Sequence, residues 1–494
     1  MKNVCLCFVS SVMLTCLLAT GLATAQIDSR VFGKPIQPAP VDPQIQAAIQ
    51  RISPQRIQQD IATLVSFHNR STLSSNDKDL PPGQGVLAAA DWIEAQYRAD
   101  SAACGGCLEV KRDTFTQPPG PRVTQPIVIN NIYAVLRGSD PAQASRMYLV
   151  TGHYDSRDSS NEDTHLEAPG ANDDASGVAV SLECARVLSK LHLPATLIFV
   201  AVAGEEQGLY GSRHLAAYAK QQGWNLEGVL NNDIVGGNTT PGDTLQNKHL
   251  VRVFSEGIPA TATEKQLRMI RMLGGENDSP SRELARAIVD VSRTYFPNGS
   301  HTIAGPAHAF SFRPVLIFRL DRYLRGGDHY SFNLQGFPAV RFTEWQEDFH
   351  HQHQNVRVQN GVQYGDLLKF VDFHYVARVA GLNAATLATL ASAPGTPTNA
   401  RLIMDKVDNN TELAWDAPAG APPGTTYQVV WRDTTAPDWQ FYDAVGTATH
   451  VTVPVSKDNV IFGVRSVNAK GQRSPAAFPF PAHFRTLPIP GPKK

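Results

Sequence analysis

The chain has 494 residues, 42% of them hydrophobic and 18% charged, with a formal net charge of −1 at pH 7. That length exceeds one ordinary domain and suits two or three, and the apolar fraction suffices for a sizeable core. The near-zero charge gives no electrostatic case for nucleic acid or an anionic membrane as partner, and the composition excludes a disordered chain apart from its termini.

Residues 1–25 read as a cleavable signal peptide. Lys2 supplies a positive start, a largely apolar stretch runs from Phe8 to Leu22, and Ala23-Thr24-Ala25 offers a small-x-small cleavage site. A buried N-terminal helix is the competing reading. The signal implies a secreted or periplasmic protein. No other segment approaches about 18 uninterrupted apolar residues, so no membrane span is expected. Cys5, Cys7 and Cys16 fall within the signal, leaving Cys104, Cys107 and Cys184. Cys104-Gly-Gly-Cys107 admits a redox pair, a metal knuckle, a tight disulfide or free thiols. An oxidising compartment and the lack of a second Cys-x-x-Cys favour the local disulfide. Cys184, in an apolar helical run, reads as a buried thiol.

Residues 26–50, rich in Pro and Gln, read as a surface arm. Two helices are predicted next. Gln55–Phe67 has apolar positions at Ile57, Ile61, Leu64 and Val65, and Val86–Tyr97 repeats that spacing. From Asn130 short β-rich runs alternate with helices. Strands are predicted at Ile132–Leu136, Met147–Thr151, Ala195–Ala201, Gly228–Asn232 and Ala339–Thr343, and helices at Gly177–Leu191, Ser212–Lys220, Glu283–Tyr295 and Asp366–Leu390. This pattern predicts an α/β domain over 51–391, a mixed β-sheet sandwiched by helices. Residues 392–398 read as a linker. Beyond them Thr411–Trp415, Tyr427–Trp431 and Val460–Val467 read as strands of a small β-sandwich over 399–486, with a tail at 487–494. Trp415, Tyr427 and the run from Gly463 to Pro475 resemble a fibronectin type III module, which implies binding to a surface or to the chain's own catalytic domain, or removal during maturation.

Four short segments carry unusual polar density beside the predicted strands. They are Thr151–Ser156 with His153 and Asp155, Pro169–Gly177 with Asp173 and Asp174, Ala203–Leu209 with Glu205 and Glu206, and Asn231–Asp233. The first, third and fourth follow the carboxyl end of a strand, where open α/β sheets hold ligands. The second leads from a loop into a helix. Singly, each has an ordinary reading: a surface pair, a solvated helix face, a helix cap. Their succession points to metal. A divalent ion such as Zn²⁺ takes carboxylate and imidazole ligands. Two ions a few ångströms apart need a shared anion, which one Asp can supply, and such a pair activates water and clamps the attacking and leaving oxygens. A carboxylate outside the metal shell must take the water's proton, and an adjacent Glu-Glu supplies one ligand and one base.

In this order, His153-x-Asp155, Asp173-Asp174-x-Ser176-Gly177, Glu205-Glu206 and Asp233 resemble the motifs of the zinc aminopeptidases of peptidase family M28, over roughly residues 50–390. The resemblance implies the zinc exopeptidase fold and two zinc ions per chain. His153 and Asp233 would hold one ion, Asp173 would bridge both, and Glu206 would hold the other. Glu205 would serve as general base and then acid, Asp155 would orient His153, and the Asp173–Asp174 peptide would be cis. The family's last ligand is a histidine near the end of the domain, usually in a Tyr-His-x-x-x-Asp setting. Here residues 347–355 contain His350, His351 and His353. His351, four residues before Asn355 where the family has Asp, is the expected ligand. His350, which follows an aromatic residue as the family's His does, is the alternative. Asp328 and His329 resemble a family Asp-His pair and are expected at the pocket rim; His301 and His308 read as surface or pocket-lining residues.

The implied activity is hydrolysis of the first peptide bond of peptide substrates with a free N-terminus. Cobalt or manganese would fit the same ligands. Two alternatives stand beside it: a glutaminyl cyclase-like single-zinc acyltransferase, which Tyr210-Gly-Ser-Arg-His-Leu215 also resembles, and a non-catalytic binding homologue. The settings of Asp173-Asp174 and of Glu205-Glu206 favour hydrolysis. Substrate side-chain preference would be set over 236–327, where no pattern reads out.

Overall fold

The structure, a computed structural model, describes residues 31–297, 312–405 and 408–482. The signal segment 1–25, His301, His308 and the tail 487–494 lie outside the described residues.

The strand Thr196–Val202 shows why the larger body is layered. All seven residues are buried. Leu197, Phe199 and Ala201 enter one apolar core while Ile198, Val200 and Val202 enter another. Alternate side chains of a strand point to opposite faces, so a continuous apolar run demands cover on both. Each Leu, Ile or Phe so buried contributes about 1.5–3 kcal/mol.

That strand belongs to an eight-stranded sheet. In chain order its members are β1 (Leu108–Gln117), β2 (Ile127–Leu136), β3 (Arg146–His153), β4 (Thr196–Val202), β5 (Asn225–Asn232), β6 (Leu250–Ser255), β7 (Arg313–Ile317) and β8 (Ala339–Glu344). Their spatial order is β1-β2-β4-β3-β5-β8-β6-β7. The central four, β4, β3, β5 and β8, run parallel. β1 and β2 join antiparallel on one side, and β6 runs antiparallel to β8 on the other. The sheet is mixed, as expected. Helices α1 (Pro54–Ser66), α2 (Gly85–Ala103), α3 (Ala175–Leu188), α4 (Tyr210–Gln221), α5 (Pro280–Tyr295) and α6 (Phe373–Ser392) cover it. α4 and the short helix Asp328–Leu334 bury their apolar residues on one face, and the remaining five on the other.

The strands beyond the linker, joined by one from the N-terminal segment, form two four-stranded sheets packed as a β-sandwich. One runs Lys34–Pro35, Phe441–Gly446, Thr426–Asp433, Val460–Val467; the other runs His450–Val453, Thr411–Asp416, Thr398–Ile403, Phe480–Pro481. Trp415, Trp431, Val429 and Val464 lie in its core. The segment expected as a surface arm is instead tied down. Lys34 and Pro35 pair with Tyr442 and Phe441, and the helix Pro43–Ile49 buries Ile45 and Ala48 in the main core. The sandwich seats on α5 and on Asp278 just before it through charged and polar groups. Arg432 donates to both oxygens of Asp278 at 2.7 and 2.9 Å, Trp439 Nε1 donates to Glu283 at 3.0 Å, and Arg465 donates to Asp290 at 2.7 Å.

The long closing helix starts at Phe373 rather than Asp366. Asp372 caps it by accepting from the amides of His374 and Tyr375, and Asp366 is freed for another task described below. Cys104 and Cys107 form a disulfide, and Cys184 is a buried free thiol.

Candidate metal centre

The parallel strands deliver their carboxyl ends to one edge of the sheet. β3 ends at His153, the turn after β4 holds Glu205 and Glu206, Asp233 follows β5, and the loop before α3 carries Asp173 and Asp174. Asp174 caps α3 by accepting from the Gly177 amide at 2.9 Å, and it also accepts from the amides of His153 at 3.0 Å and Ile234 at 3.2 Å. One carboxylate thus pins three chain segments at the same point. Close approach makes this possible: a Cβ on Gly177 would collide with the Asn232 carbonyl, and one on Gly152 with the Gly177 backbone. The Asp173–Asp174 peptide is cis.

Asp173 stands between two imidazoles. Its Oδ1 lies 3.1 Å from His153 Nε2 and its Oδ2 lies 3.0 Å from His353 Nε2. His153, Asp173 and Asp233 bring ligand atoms within 4.8 Å of one another, and so do Asp173, Glu206 and His353. The shared member is Asp173. His353 Nε2 is 3.0 Å from Glu206 Oε1. Burial alone would raise the Asp173 pKa; the two imidazoles outweigh it and hold the carboxyl well below its usual range.

Asp155 is buried behind this centre. His153 Nδ1 lies 3.1 Å from the Asp155 carbonyl and 3.5 Å from its carboxylate. The same carboxylate accepts from the Glu206 amide at 3.2 Å, the Glu205 amide at 3.4 Å and the Thr72 hydroxyl at 3.0 Å. It therefore sets the Glu205-Glu206 turn as well as the first imidazole. Burial pushes the Glu205 carboxyl well above the usual carboxylate range, against the pull of His153.

The last histidine is corrected. The structure brings His353, not His351 or His350, to Asp173. Asp348–Gln352 form a turn in which the amides of His351 and Gln352 donate to the Asp348 carbonyl. The next residue, His353, takes φ +56°, leaves the turn and carries its ring into the cleft. His351 points elsewhere and stacks on Phe370 at 3.8 Å between ring centres. His350 is largely exposed, 3.2 Å from Asp348. Asn355 accepts from Ser159 and thereby fastens the loop after β3. Asp328 and His329 are also not at the rim. Both are fully buried, and burial pushes Asp328 up to about 7. His329 Nε2 faces the Leu320 carbonyl at 2.8 Å, and burial lowers its pKa to about 4.

Three contributors escaped the sequence reading. Arg341 on β8 pairs with Asp233 at 2.7 Å; a charged residue inside a buried strand was its only signal. Asp366 accepts from the amides of Asn172 at 2.9 Å and Asp173 at 2.7 Å, so it holds the shared carboxylate's backbone. Arg157 pairs with Glu206 at 2.9 Å and places an Nη 2.7 Å from His353 Nδ1. Together these groups line or back a cleft of about 390 Å³ whose wall includes Glu205, Glu206, Asp173, Asp233 and His353.

The donor set suits zinc: two imidazoles and three carboxylates, in two groups that share one carboxylate. Comparisons with known proteins agree. The model of peptidase family M28 matches residues 131–365. A probable zinc metalloprotease of Leptosphaeria maculans is 44% identical over 447 residues, spanning 90% of this chain and 99% of that protein. One from Pyricularia oryzae is also 44% identical over 447 residues, spanning 89% and 85%. Among solved structures, the LapA aminopeptidase of Legionella pneumophila aligns at 19% identity with a TM-score of 0.49, over 73% of this chain and 77% of that one. The motif order, the geometry and the matches to the family model and to these 44%-identical metalloproteases lead to one assignment: the chain belongs to peptidase family M28.

Proposed function

We propose that the protein is a two-zinc aminopeptidase that hydrolyses the first peptide bond of a peptide, with Glu205 as general base. The observation that carries this reading is the position of Asp173, whose two oxygens face two separate imidazoles, each with a further carboxylate beside it. His153, Asp233 and Asp173 would hold one ion, and Asp173, Glu206 and His353 the other. When bound, the ions supply Lewis acidity to the scissile carbonyl and lower the pKa of the attacking water.

The chain's own groups do the rest. With Nδ1 donating to Asp155, His153 would turn its Nε2 lone pair toward the ion it shares with Asp173 and Asp233. Asp155 fixes the turn that presents Glu205 to the cleft. Glu205 takes a proton from the attacking water as the carbon–oxygen bond forms, and returns it to the nitrogen as the carbon–nitrogen bond breaks. The products are a carboxylate and a free amine. Two complete donor groups favour this over the single-zinc acyltransferase. The signal-like segment 1–25 and the Cys104–Cys107 disulfide support a secreted or periplasmic location.

A panel of aminoacyl and peptide substrates, with and without chelator and with zinc restored, tests the reading. Glu205→Gln is expected to retain both zinc ions while turnover falls by on the order of 10³-fold or more. Turnover retained in that variant would remove Glu205 from the role of base.

A further inference from the structure

The cleft wall carries arginines that the metal centre does not use. Arg122, Arg157, Arg322 and Arg325 all line it beside the site carboxylates. Two divalent ions would offset most of the charge of the centre's own carboxylates, Asp173, Glu205, Glu206 and Asp233 at the cleft and Asp155 and Asp174 behind it. The arginines would then be opposed by Asp321 and Glu347, and both of those are shared. Glu347 pairs with Arg322 at 2.7 Å, Arg252 at 2.8 Å and, more loosely, Arg325 at 3.5 Å. Asp321 pairs with Arg322 and Arg341.

Two of the four arginines are already committed. Arg157 is bound to Glu206 and His353, and Arg322 lies between Asp321 and Glu347. Arg122 is different. It is exposed, and among the described residues it has no carboxylate partner; its Nη1 donates to the Glu206 backbone carbonyl at 2.9 Å. That bond anchors one end of the guanidinium one residue from the proposed base. The loop that carries it is held a second time, by the Tyr210 hydroxyl donating to Pro121 O at 2.9 Å, and closes on itself through the Gly120–Val123 pair. Arg325, half-buried in the wall of the same cleft, spends Nη1 on Gln352 at 3.0 Å.

From this placement we infer that Arg122 and Arg325 form a carboxylate-binding subsite, so that the favoured substrate carries a carboxylate close to the scissile bond. A guanidinium offers a fork of donors matched to a carboxylate. The cleft volume of about 390 Å³ suits one or two residues. The carboxylate has two sources, an acidic side chain or the free α-carboxylate of a very short peptide. The inference rests on the hydrolase reading for its consequence in turnover, but the binding step does not need turnover.

The test is calorimetric titration of the zinc-loaded full chain with three probes. N-acetyl-isoglutamine offers only a side-chain carboxylate, N-acetyl-glutamine only an α-carboxylate, and N-acetyl-glutamine amide neither. One of the two acids is expected to bind about tenfold or more tightly than the amide, and which one identifies the source. Added salt should shrink the difference. In Arg122→Gln and Arg325→Gln the ratio should fall toward one, and Arg122→Lys should recover part of it. Equal binding of acids and amide, or a preference that survives both glutamine variants, overturns the subsite. Hydrolysis of Ala-Glu, Ala-Glu amide, Ala-Gln and Ala-Gln amide is then compared. Preserved acid binding with no hydrolysis of any peptide would count against the hydrolase reading and leave the subsite standing. Hydrolysis with no preference for either acid form would overturn the subsite alone.

Discussion

Asp173 has a different imidazole at each oxygen, and that arrangement gives each histidine a distinct consequence. His353→Ala should lose about one zinc per chain, with activity down on the order of 10³-fold. His351→Ala should keep both ions, since its ring stacks on Phe370 away from Asp173. Elemental analysis of the two purified variants, beside turnover, checks this; the reverse pattern would restore the sequence-based expectation. His153, Asp155, Asp173, Glu205, Glu206 and Asp233 were legible because each sits at a strand end or helix start, where local pattern and chemistry coincide. His353 was not. It lies in an irregular turn among three histidines, and the φ of +56° that aims it leaves no trace in spacing. Arg122 and Arg157 reach the cleft from loops, where no periodicity marks a facing side chain.

At the scale of elements, α1 carries an unusual burden. Asp60 is buried on its inner face, and burial raises its pKa to about 7, with Arg56 only partly offsetting it. Asp100 on α2, also largely buried, is raised to about 6. An acid whose folded pKa lies above its unfolded value favours the protonated form on folding. Stability should therefore decline as pH rises from about 4 to about 7, then level off. Asp60→Asn removes that term, so the variant should lose less stability than the parent between pH 5 and pH 8. The gain at pH 8 should be on the order of 1–4 kcal/mol. Chemical denaturation at the two pH values measures it; equal slopes would contradict the burial argument. The core strands β3, β4, β5 and β8 were readable as apolar runs. β1 was missed because its exposed edge alternates charged residues with half-buried ones, and β6 and β7, at the far side of the sheet, were missed as well. The start of α6 was misplaced because the Asp366–Asp372 stretch is apolar and acidic by turns, yet serves to hold Asp173 before the helix is capped.

For the whole molecule, the sandwich is fastened to the metal-bearing body by buried charge and by the N-terminal strand that crosses to it. Removing one partner of a buried pair leaves the other uncompensated, at about 3–5 kcal/mol. Asp278→Ala, which strips Arg432 of its bidentate partner and Arg286 of a neighbour, should lower the melting temperature and open the linker 392–398 to protease. An unchanged melt and an intact linker would mean the contact contributes little. The proposed pairing of two ions through Asp173 is read most directly by diffraction from zinc-loaded crystals of the full chain above and below the zinc absorption edge. Two anomalous peaks per chain are predicted, one against His153, Asp173 and Asp233 and one against Asp173, Glu206 and His353. A single peak, or a second peak against His351, would contradict the bridged centre.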